Sequence, residues 1–471
     1  MKKLLAVLLA LSMVFAMAAC GANPSEEPPT AAPAQSNNDP APEATDSVVA
    51  EPELPKNVSL ELWTDMNIST DVLTNAVAAF EAEYADYGYD ITLNQFAGAQ
   101  RSALLSAAIE TNSLPALFLS AWFTTSDYVH QGLIADISDI AETAKADLYP
   151  SAYDATVIDG KSYMVGLYQS YFGIVYNADM LKAAGLEEYV SDDPYEITQW
   201  TVDDMENVIL PALAEYMKGT EKYPMAFFAA DNQADTHMLN WMTMLGGNMW
   251  ADGYSVAGED ANTIAALEKM ISWANAGLTN SNVATKSGAD VGGEFKNQVS
   301  AICSGQFANY VNYVRAMDKG EIERFDLRMG AVPVQENGTD TVTLGNYIYG
   351  ACVMNNGNEE QMVVAREFIK WLLNNEENLT AFNTCALPCS KSILEKQAVN
   401  NPIYAGLAAV EPYIWDFTGG VAGYVSTRSL LFPQLQAAFS GDKTAAEALA
   451  DYSAGANEVI QEYMDNSLVL N

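Results

Sequence analysis

The stretch Val58-Ser59-Leu60-Glu61-Leu62-Trp63 opens the folded part of the chain, and the pattern that follows it decides the fold. Its apolar and polar residues alternate, which predicts a β-strand with one buried face. A helical pattern begins at Asp71, and a second strand is predicted over 89–93. A helix over 100–111 and a buried strand over 116–119 come next. Strands that alternate with helices predict an α/β fold with a largely parallel sheet.

The alternation continues towards the C-terminus. Residues 170–176 have the composition of a strand, and a helix is predicted from Ala178 to Ala184, where Gly185 ends it. Apolar spacing predicts further helices over 202–217, 263–275, 359–373 and 444–463. The chain has 471 residues, which is too long for one core and predicts two or three domains.

The charge balance excludes several classes of function. The chain carries 61 Asp and Glu against 22 Lys and Arg, a net charge of -39. Such a surface repels phosphate backbones and anionic lipid, so neither nucleic-acid binding nor polybasic membrane attachment is expected. The chain has two histidines, His130 and His237. This number argues against a multi-histidine metal site and an ordinary Ser-His-Asp protease.

The N-terminal residues predict export. Two lysines at positions 2 and 3 precede an apolar run over 4–16, and Met17-Ala18-Ala19-Cys20 follows. This arrangement resembles the lipobox of bacterial lipoproteins, in which the cysteine is lipidated; an ordinary signal peptide is the alternative. We therefore expect a signal peptide over 1–20, lipidation at Cys20, and a protein anchored on the outer face of the cytoplasmic membrane. Residues 21–55 are rich in Pro, Ala, Ser and Glu, which predicts a disordered tether.

Catalytic signatures are mostly absent from the sequence. It contains no GxGxxG, GxxxxGK[ST], GxSxG or HExxH motif, and an Asp/Glu pair cannot be singled out among 61 acids. Aromatic residues are abundant, with 24 Tyr, 16 Phe and 8 Trp. Several of them, such as Trp122, lie among polar residues. Ring faces bordered by amides and hydroxyls suit a sugar. We predict no enzymatic activity, no cofactor and no metal.

Six short motifs, spread over roughly residues 56–471, carry a family resemblance. In chain order they are Leu60-Glu61-Leu62-Trp63, Leu114-Pro115-Ala116-Leu117-Phe118, Asp159-Gly160-Lys161-Ser162-Tyr163-Met164-Val165-Gly166, Gly173-Ile174-Val175-Tyr176-Asn177-Ala178-Asp179-Met180-Leu181, Trp200-Thr201-Val202-Asp203-Asp204 and Leu387-Pro388-Cys389-Ser390-Lys391-Ser392. The chain therefore resembles the extracellular solute-binding proteins (family 1) of bacterial ABC sugar importers, the group that includes maltose-binding protein.

The resemblance implies a two-lobe α/β fold of the periplasmic-binding-protein type, with crossing hinge strands and the ligand between the lobes. Lobe one is expected at 56–168 plus 346–395, and lobe two at 169–345 plus 396–471. The hinge is expected near 168–170 and 345–347, and closure of the two lobes would bury the solute.

The implied ligand is a neutral sugar or short oligosaccharide. Aromatic stacking is expected from Trp122, Tyr171, Phe307 and Trp415, and polar contacts from Asp65, Gln169, Asn232 and Arg428. Asp65, Asn232, Phe307 and Arg428 are taken from alignment with the family. Phe307 stands where the family often has a tryptophan for stacking.

The implied function is to capture a carbohydrate and deliver it to ABC permease subunits in the membrane, as a monomer. An exported glycan-acting enzyme and a binding protein for a peptide, polyamine or metal remain alternatives. Cys303 and Cys352 are expected to be free core thiols, and Cys385 and Cys389 are close enough in sequence for a disulfide.

Overall fold

The computed structural model describes residues 53–66, 68–231, 233–333, 344–382, 386–411 and 414–469. The predicted signal peptide, the lipidation site Cys20 and most of the predicted tether lie outside these ranges, as does Cys385. Within them, Cys303, Cys352 and Cys389 are buried and carry free thiols, as expected for the first two.

A ten-stranded mixed sheet runs through the centre of the fold, in the order β2-β1-β3-β12-β6-β10-β7, with β11 and β13 paired to β6 and β14 paired to β12. Its strands are β1 (Ser59–Thr64), β2 (Asp90–Gln95), β3 (Leu117–Ala121), β6 (Val165–Asn177), β7 (Tyr223–Ala226), β10 (Ser300–Gln306), β11 (Leu327–Gly330), β12 (Leu344–Val353), β13 (Leu387–Pro388) and β14 (Ile414–Trp415). Two small hairpins lie outside it, formed by β4 (Val157–Ile158) with β5 (Lys161–Ser162) and by β8 (Trp250–Ala251) with β9 (Tyr254–Ser255).

The expectation of a largely parallel sheet is wrong in the middle of this sheet. Strands β1, β2 and β3 are parallel to one another, and so are β7 and β10. The central strands β12 and β6, however, are antiparallel to each other and to their outer neighbours β3 and β10. Strand direction depends on the connections, so the local pattern of apolar residues does not reveal it.

Helices cover both faces of the sheet. They are α1 (Thr70–Glu83), α2 (Arg101–Thr111), α3 (Trp122–His130), α4 (Ser138–Ala144), α5 (Pro150–Asp154), α6 (Ala178–Ala183), α7 (Val202–Asp204), α8 (Leu210–Tyr216), α9 (Ala234–Met244), α10 (Ala261–Asn275), α11 (Gly288–Lys296), α12 (Phe307–Asp318), α13 (Glu359–Asn374), α14 (Glu376–Phe382), α15 (Lys391–Asn400), α16 (Pro402–Val410), α17 (Tyr424–Ser440) and α18 (Ala445–Asp465). Short 3-10 turns occupy Gly98–Gln100, Glu187–Tyr189 and Val283–Thr285, and one π-helical turn, Met205–Ile209, joins α7 to α8.

Two hydrophobic cores lie along this sheet. The first core draws its buried residues from 58–168 and 348–393, and the second core from 171–347 and 387–460. Strands β6 and β12 contribute residues to both cores. In β6 the first core ends at Tyr168 and the second begins at Tyr171; in β12 the second core ends at Tyr347 and the first begins at Ile348. The family resemblance implied crossing strands near 168–170 and 345–347, close to these positions.

The C-terminal helices return to the first core. The backbone N–H of Gly423, just before α17, donates to Asp127 Oδ1 on α3 at 2.9 Å. Beyond α18, the Leu468 N–H donates to the carbonyl of His130 at 2.7 Å, and His130 Nδ1 lies 3.0 Å from Ser467 Oγ. Helix α3 therefore connects the two cores at a second place, away from the crossing strands.

Candidate functional site

The carboxyl ends of strands from both cores meet at the crossing strands. The last residue of β3, Ala121, lies opposite Tyr349, and the last residue of β10, Gln306, lies opposite Phe172. Tyr349 in turn pairs with Tyr168, so both strands end within four residues of each other along β6. Ligands of open α/β sheets bind outside the carboxyl ends of the strands, which makes this junction the candidate site.

Helix α3 brings aromatic rings to the junction. Trp122 is the first residue of α3 and is buried, and the ring of Phe123 stacks on Tyr347 with 4.2 Å between centroids. A void of about 10 Å³ lies among these rings and is also bordered by Asp416 and Thr418. This space is enough for about one water molecule. Trp122 belongs to the first core, whereas Phe123 packs against the second core, which includes Tyr347.

A buried ion pair approaches the same rings from the second core. Arg428 on α17 binds Asp235 on α9 through two hydrogen bonds, Nε to Oδ2 at 2.6 Å and Nη2 to Oδ1 at 3.0 Å. Tyr424 donates a third hydrogen bond to Asp235, at 2.8 Å. The guanidinium lies 4.9 Å from the centroid of Phe123 and 6.0 Å from that of Tyr347. Arg428 thus connects α17 to α3 through a cation–π contact with Phe123.

Asp65 follows β1 and forms an ion pair with Arg101, whose helix α2 lies on the same core. Both charges act on Tyr349 in the crossing strand. Burial raises the pKa of Tyr349 to about 12, and the negative charge of Asp65 adds to this shift. Arg428 and Arg101 oppose it. The electrostatic coupling places Asp65 and Arg428 on the same junction.

A groove of about 700 Å³ opens in the second core between α11 and α12, which we call the α11–α12 groove. It is also bordered by the end of β10 and the start of α9. Four side-chain amides line it, belonging to Gln233, Gln306, Asn309 and Asn312. Gln306 Oε1 also accepts a hydrogen bond from Ser170 in the crossing strand, at 3.2 Å. The groove therefore begins at the strand junction and offers amide donors and acceptors to a polar ligand.

His237 lies at the inner end of the groove. Its ring is packed edge-on between Phe172 and Phe228, with centroids 5.5 and 5.1 Å away, and only 7% of the residue is exposed. Burial lowers its pKa to about 4, so the imidazole is neutral at physiological pH. Its Nδ1 atom has no hydrogen-bond partner within the described residues. A buried polar atom without a partner is costly, so a ligand group is a natural complement for it.

Three of the residues proposed from the sequence come together at the junction: Asp65, Trp122 and Arg428. Arg428 presents its guanidinium edge to Asp235 and its face to Phe123, so its donors are already engaged by the protein. Trp122 is the first residue of helix α3.

Three further proposed residues lie in the interior. Gln169 is fully buried in β6. Burial raises the pKa of Glu411, and a side-chain hydrogen bond between Glu411 and Gln169 partly offsets this rise. Tyr171 is also fully buried, and its hydroxyl donates to Met329 Sδ at 3.1 Å. The ring of Phe307 packs edge-on against Tyr404 at 5.4 Å. These side chains face the cores because the neighbouring helices cover that side of the sheet.

The last two proposed residues are described only in part. Asn232 lies outside the described residues. The backbone of Trp415 pairs with Gly345 of β12 in the short strand β14. The side chain of Trp415 is not among those described.

His237 and the amides of the groove are candidate contact residues that were not proposed from the sequence. A signal for the amides was present, since Gln306 and Asn309 flank Phe307, which was proposed. His237 had no such signal. Helix α9 is buried on nearly every side, so no periodic pattern distinguishes a histidine in the site from one in the core.

The described residues contain no group of three or more His, Cys, Asp or Glu side chains arranged to hold a metal ion. None of the helices described has the length and apolar character needed to cross a bilayer.

The sequence model of the bacterial extracellular solute-binding protein family matches residues 68–379. This range covers well over half of the chain, so the protein belongs to that family. A comparison with curated proteins found no match.

Solved structures share the fold. The cyclic alpha-maltosyl-1,6-maltose binding protein from Arthrobacter globiformis has a TM-score of 0.69 and 15% identity, covering 86% of this chain and 99% of that one. The sugar-binding protein MalE from Xanthomonas citri has a TM-score of 0.69 and 15% identity, with 86% and 98% covered. Maltose-bound MalE3 from T. maritima has a TM-score of 0.66 and 14% identity, with 84% and 98% covered. The protein thus has the two-lobe α/β fold of periplasmic binding proteins.

Proposed function

We propose that this solute-binding protein captures a carbohydrate between its two lobes and delivers it to the permease of an ABC importer. The observation that carries the proposal is the junction itself: strands of both cores end at one pair of crossing strands, beside a groove lined by amides. Amides and ring faces are the groups that pair with sugar hydroxyls and C–H faces. The solved proteins of the same fold that bind maltose and cyclic maltosyl-maltose support the choice.

The contacts are divided between the lobes. We assign Asp65 and Trp122 to the wall on the side of the first core. The amides of Gln306, Asn309 and Asn312 form the wall on the other side. Gln169, Tyr171 and Phe307 support this wall from behind, and Arg428 orients Phe123.

We keep the lobe bounds expected from the family resemblance, lobe one at 56–168 plus 346–395 and lobe two at 169–345 plus 396–471. They follow the two cores except that Tyr347, Leu387 and Leu394 of lobe one pack in the second core. The crossing strands between Tyr168 and Tyr171 and between Tyr347 and Ile348 act as the hinge. Export follows from membership of an extracellular family. We further propose that Cys20 is lipidated and that the protein is a monomer.

A thermal-shift screen of sugars, peptides and polyamines on the purified protein tests the substrate class. A ligand present at 100 times its Kd stabilises the folded state by about 2.7 kcal/mol, which raises the melting temperature measurably. We expect sugars to give the hits. Stabilisation by peptides or polyamines alone would overturn the carbohydrate proposal, and release of sugar from chromogenic glycans would favour an exported enzyme.

A further inference from the structure

Resting on the proposed carbohydrate function, we infer that the solute carries an anionic group, and that the α11–α12 groove binds this group. A carboxylate, as in a uronic acid, and a sulfate ester share the chemistry concerned, namely an anionic oxygen that accepts charge-assisted hydrogen bonds. This inference revises the expectation of a neutral sugar.

The charge of the groove is opposite to that of the molecule. The whole chain has 22 cationic side chains against 61 acidic ones. The groove is lined by three cations, Lys296, Arg315 and Lys319, and by one carboxylate, Glu321. Glu321 lies 3.9 Å from Lys319, and both are well exposed. The groove is therefore a local positive site on a strongly negative protein.

Within the described residues, two of these cations form no ion pair. They are Lys296 and Arg315, whereas most of the other Lys and Arg side chains described are paired with an acid, as Lys269 and Lys286 are. Lys296 Nζ lies 5.8 Å from the ring centroid of Tyr313, which is also on the groove wall. Both cations are available to a ligand.

Two acids close in sequence to groove residues do not line the groove. Asp231 accepts the backbone N–H groups of Gln233 and Gly288, each at 2.9 Å. Glu294 binds Lys286 at 2.6 Å and also accepts a hydrogen bond from Tyr223. Both carboxylates are therefore held by groups other than the cations of the groove.

The shape of the groove permits close approach. Its α11 wall contains Gly288, Gly292 and Gly293, and a Cβ atom built at Gly293 would meet no atom within 4 Å. The groove follows α12, whose 12 residues span about 18 Å. The buried, unpartnered Nδ1 of His237 lies at the inner end. The inner end thus suits a hydroxyl, and the outer end, near Arg315, suits an anion.

The net charge of -39 does not prevent this binding. At physiological ionic strength the screening length is about 8 Å, so distant acids act weakly on a bound anion. The nearest charges dominate, and in the groove those charges are positive.

The experiment measures affinities by calorimetry for matched pairs of neutral and anionic oligosaccharides. The pairs are galactotriose with trigalacturonate, and desulfated with sulfated carrageenan disaccharide, within a wider panel built on the same plan. We expect the anionic member to bind about tenfold or more tightly in at least one pair. Comparing the affinity gain in the trigalacturonate pair with that in the sulfated pair shows whether a carboxylate or a sulfate is preferred.

Variants that each remove one positive charge from the groove test whether these cations bind the anionic group. Lys296→Gln and Arg315→Gln should each weaken the anionic member on the order of tenfold, and the neutral member far less. Lys222→Gln is the matched control, because Lys222 is exposed on the same lobe and does not line the groove. Gly293→Phe should block the groove without strain, since space is open there.

Two results overturn the inference, and they differ from failure of the proposed function. If neutral sugars bind as tightly as their anionic counterparts throughout the panel, the inference alone is wrong. It is equally wrong if Arg315→Gln weakens both members of a pair to the same extent, or if Lys222→Gln weakens the anionic member as much as Arg315→Gln does. If no sugar of either kind binds, the proposed carbohydrate function is wrong and the inference falls with it.

Discussion

Replacing Asp127 by Asn should stabilise the protein at alkaline pH and leave it almost unchanged in acid. Asp127 lies on α3, only 5% exposed, and accepts the Gly423 N–H at 2.9 Å. Burial raises the pKa of this carboxyl from 3.8 to about 7, although the Gly423 hydrogen bond and the charge of Arg101 act in the opposite direction. The folded state therefore holds a proton that the unfolded chain releases near pH 4.

The sign and size of the effect follow from this difference in pKa. A carboxyl whose pKa is raised on folding contributes stability below pH 4, and that contribution is lost as the pH rises towards 7. A shift of about three units corresponds to roughly 4 kcal/mol. Asparagine is neutral at every pH and keeps an oxygen for the Gly423 N–H. The variant should therefore gain up to about 4 kcal/mol at pH 8 and almost nothing at pH 4.

Denaturant unfolding at pH 4.5, 6 and 8 measures the difference directly. Asp192→Asn is the matched control, since Asp192 is exposed and the same charge is removed. The control should change stability by less than about 0.5 kcal/mol at each pH. A gain that is equal at all three pH values, or a loss at pH 8, would refute the reasoning.

Three further predictions concern motion, anchoring and the inner end of the site. Small-angle scattering should show a smaller radius of gyration with saturating sugar, because the lobes close about β6 and β12; an unchanged radius with verified binding counts against closure. Cys20→Ala should move the protein from the membrane to the soluble fraction, and continued membrane association would exclude the lipid anchor. His237→Phe should keep the ring packing against Phe172 but weaken sugar binding by roughly tenfold through loss of the Nδ1 acceptor or donor; unaltered affinity would place His237 in the core alone.

Local signals predicted the helices well, because helix ends are determined by nearby residues. Thr201 and Asp204 form a reciprocal capping box at 3.0 and 2.9 Å, as the sequence suggested for the helix start. Gly185 follows α6 with a φ of 80°, the left-handed conformation that glycine adopts easily. The predicted strands β1, β2 and β3 and the central part of β6 are present at the expected positions.

The site was harder to predict, because the direction in which a side chain faces depends on the tertiary structure. Tyr171 and Phe307 are aromatic residues of the kind that stack on sugars, yet both pack into the second core. Trp122 was proposed because it follows a predicted strand, and Asp65 was proposed from alignment with the family; both remain predictions. The groove cations were not recognised, since α11 and α12 become neighbours only when β10 is in place between them.

The central claim is that both lobes hold one sugar at the strand junction. Calorimetric titration of the best sugar from the screen into the parent, Trp122→Phe and Asn312→Ala tests it most directly. Phenylalanine retains most of the buried packing at 122, and Asn312 is exposed, so both variants should fold. The account predicts that each substitution, one in each lobe, weakens binding by about 1–2 kcal/mol, or roughly five- to thirtyfold. Unchanged affinity in both variants would contradict it.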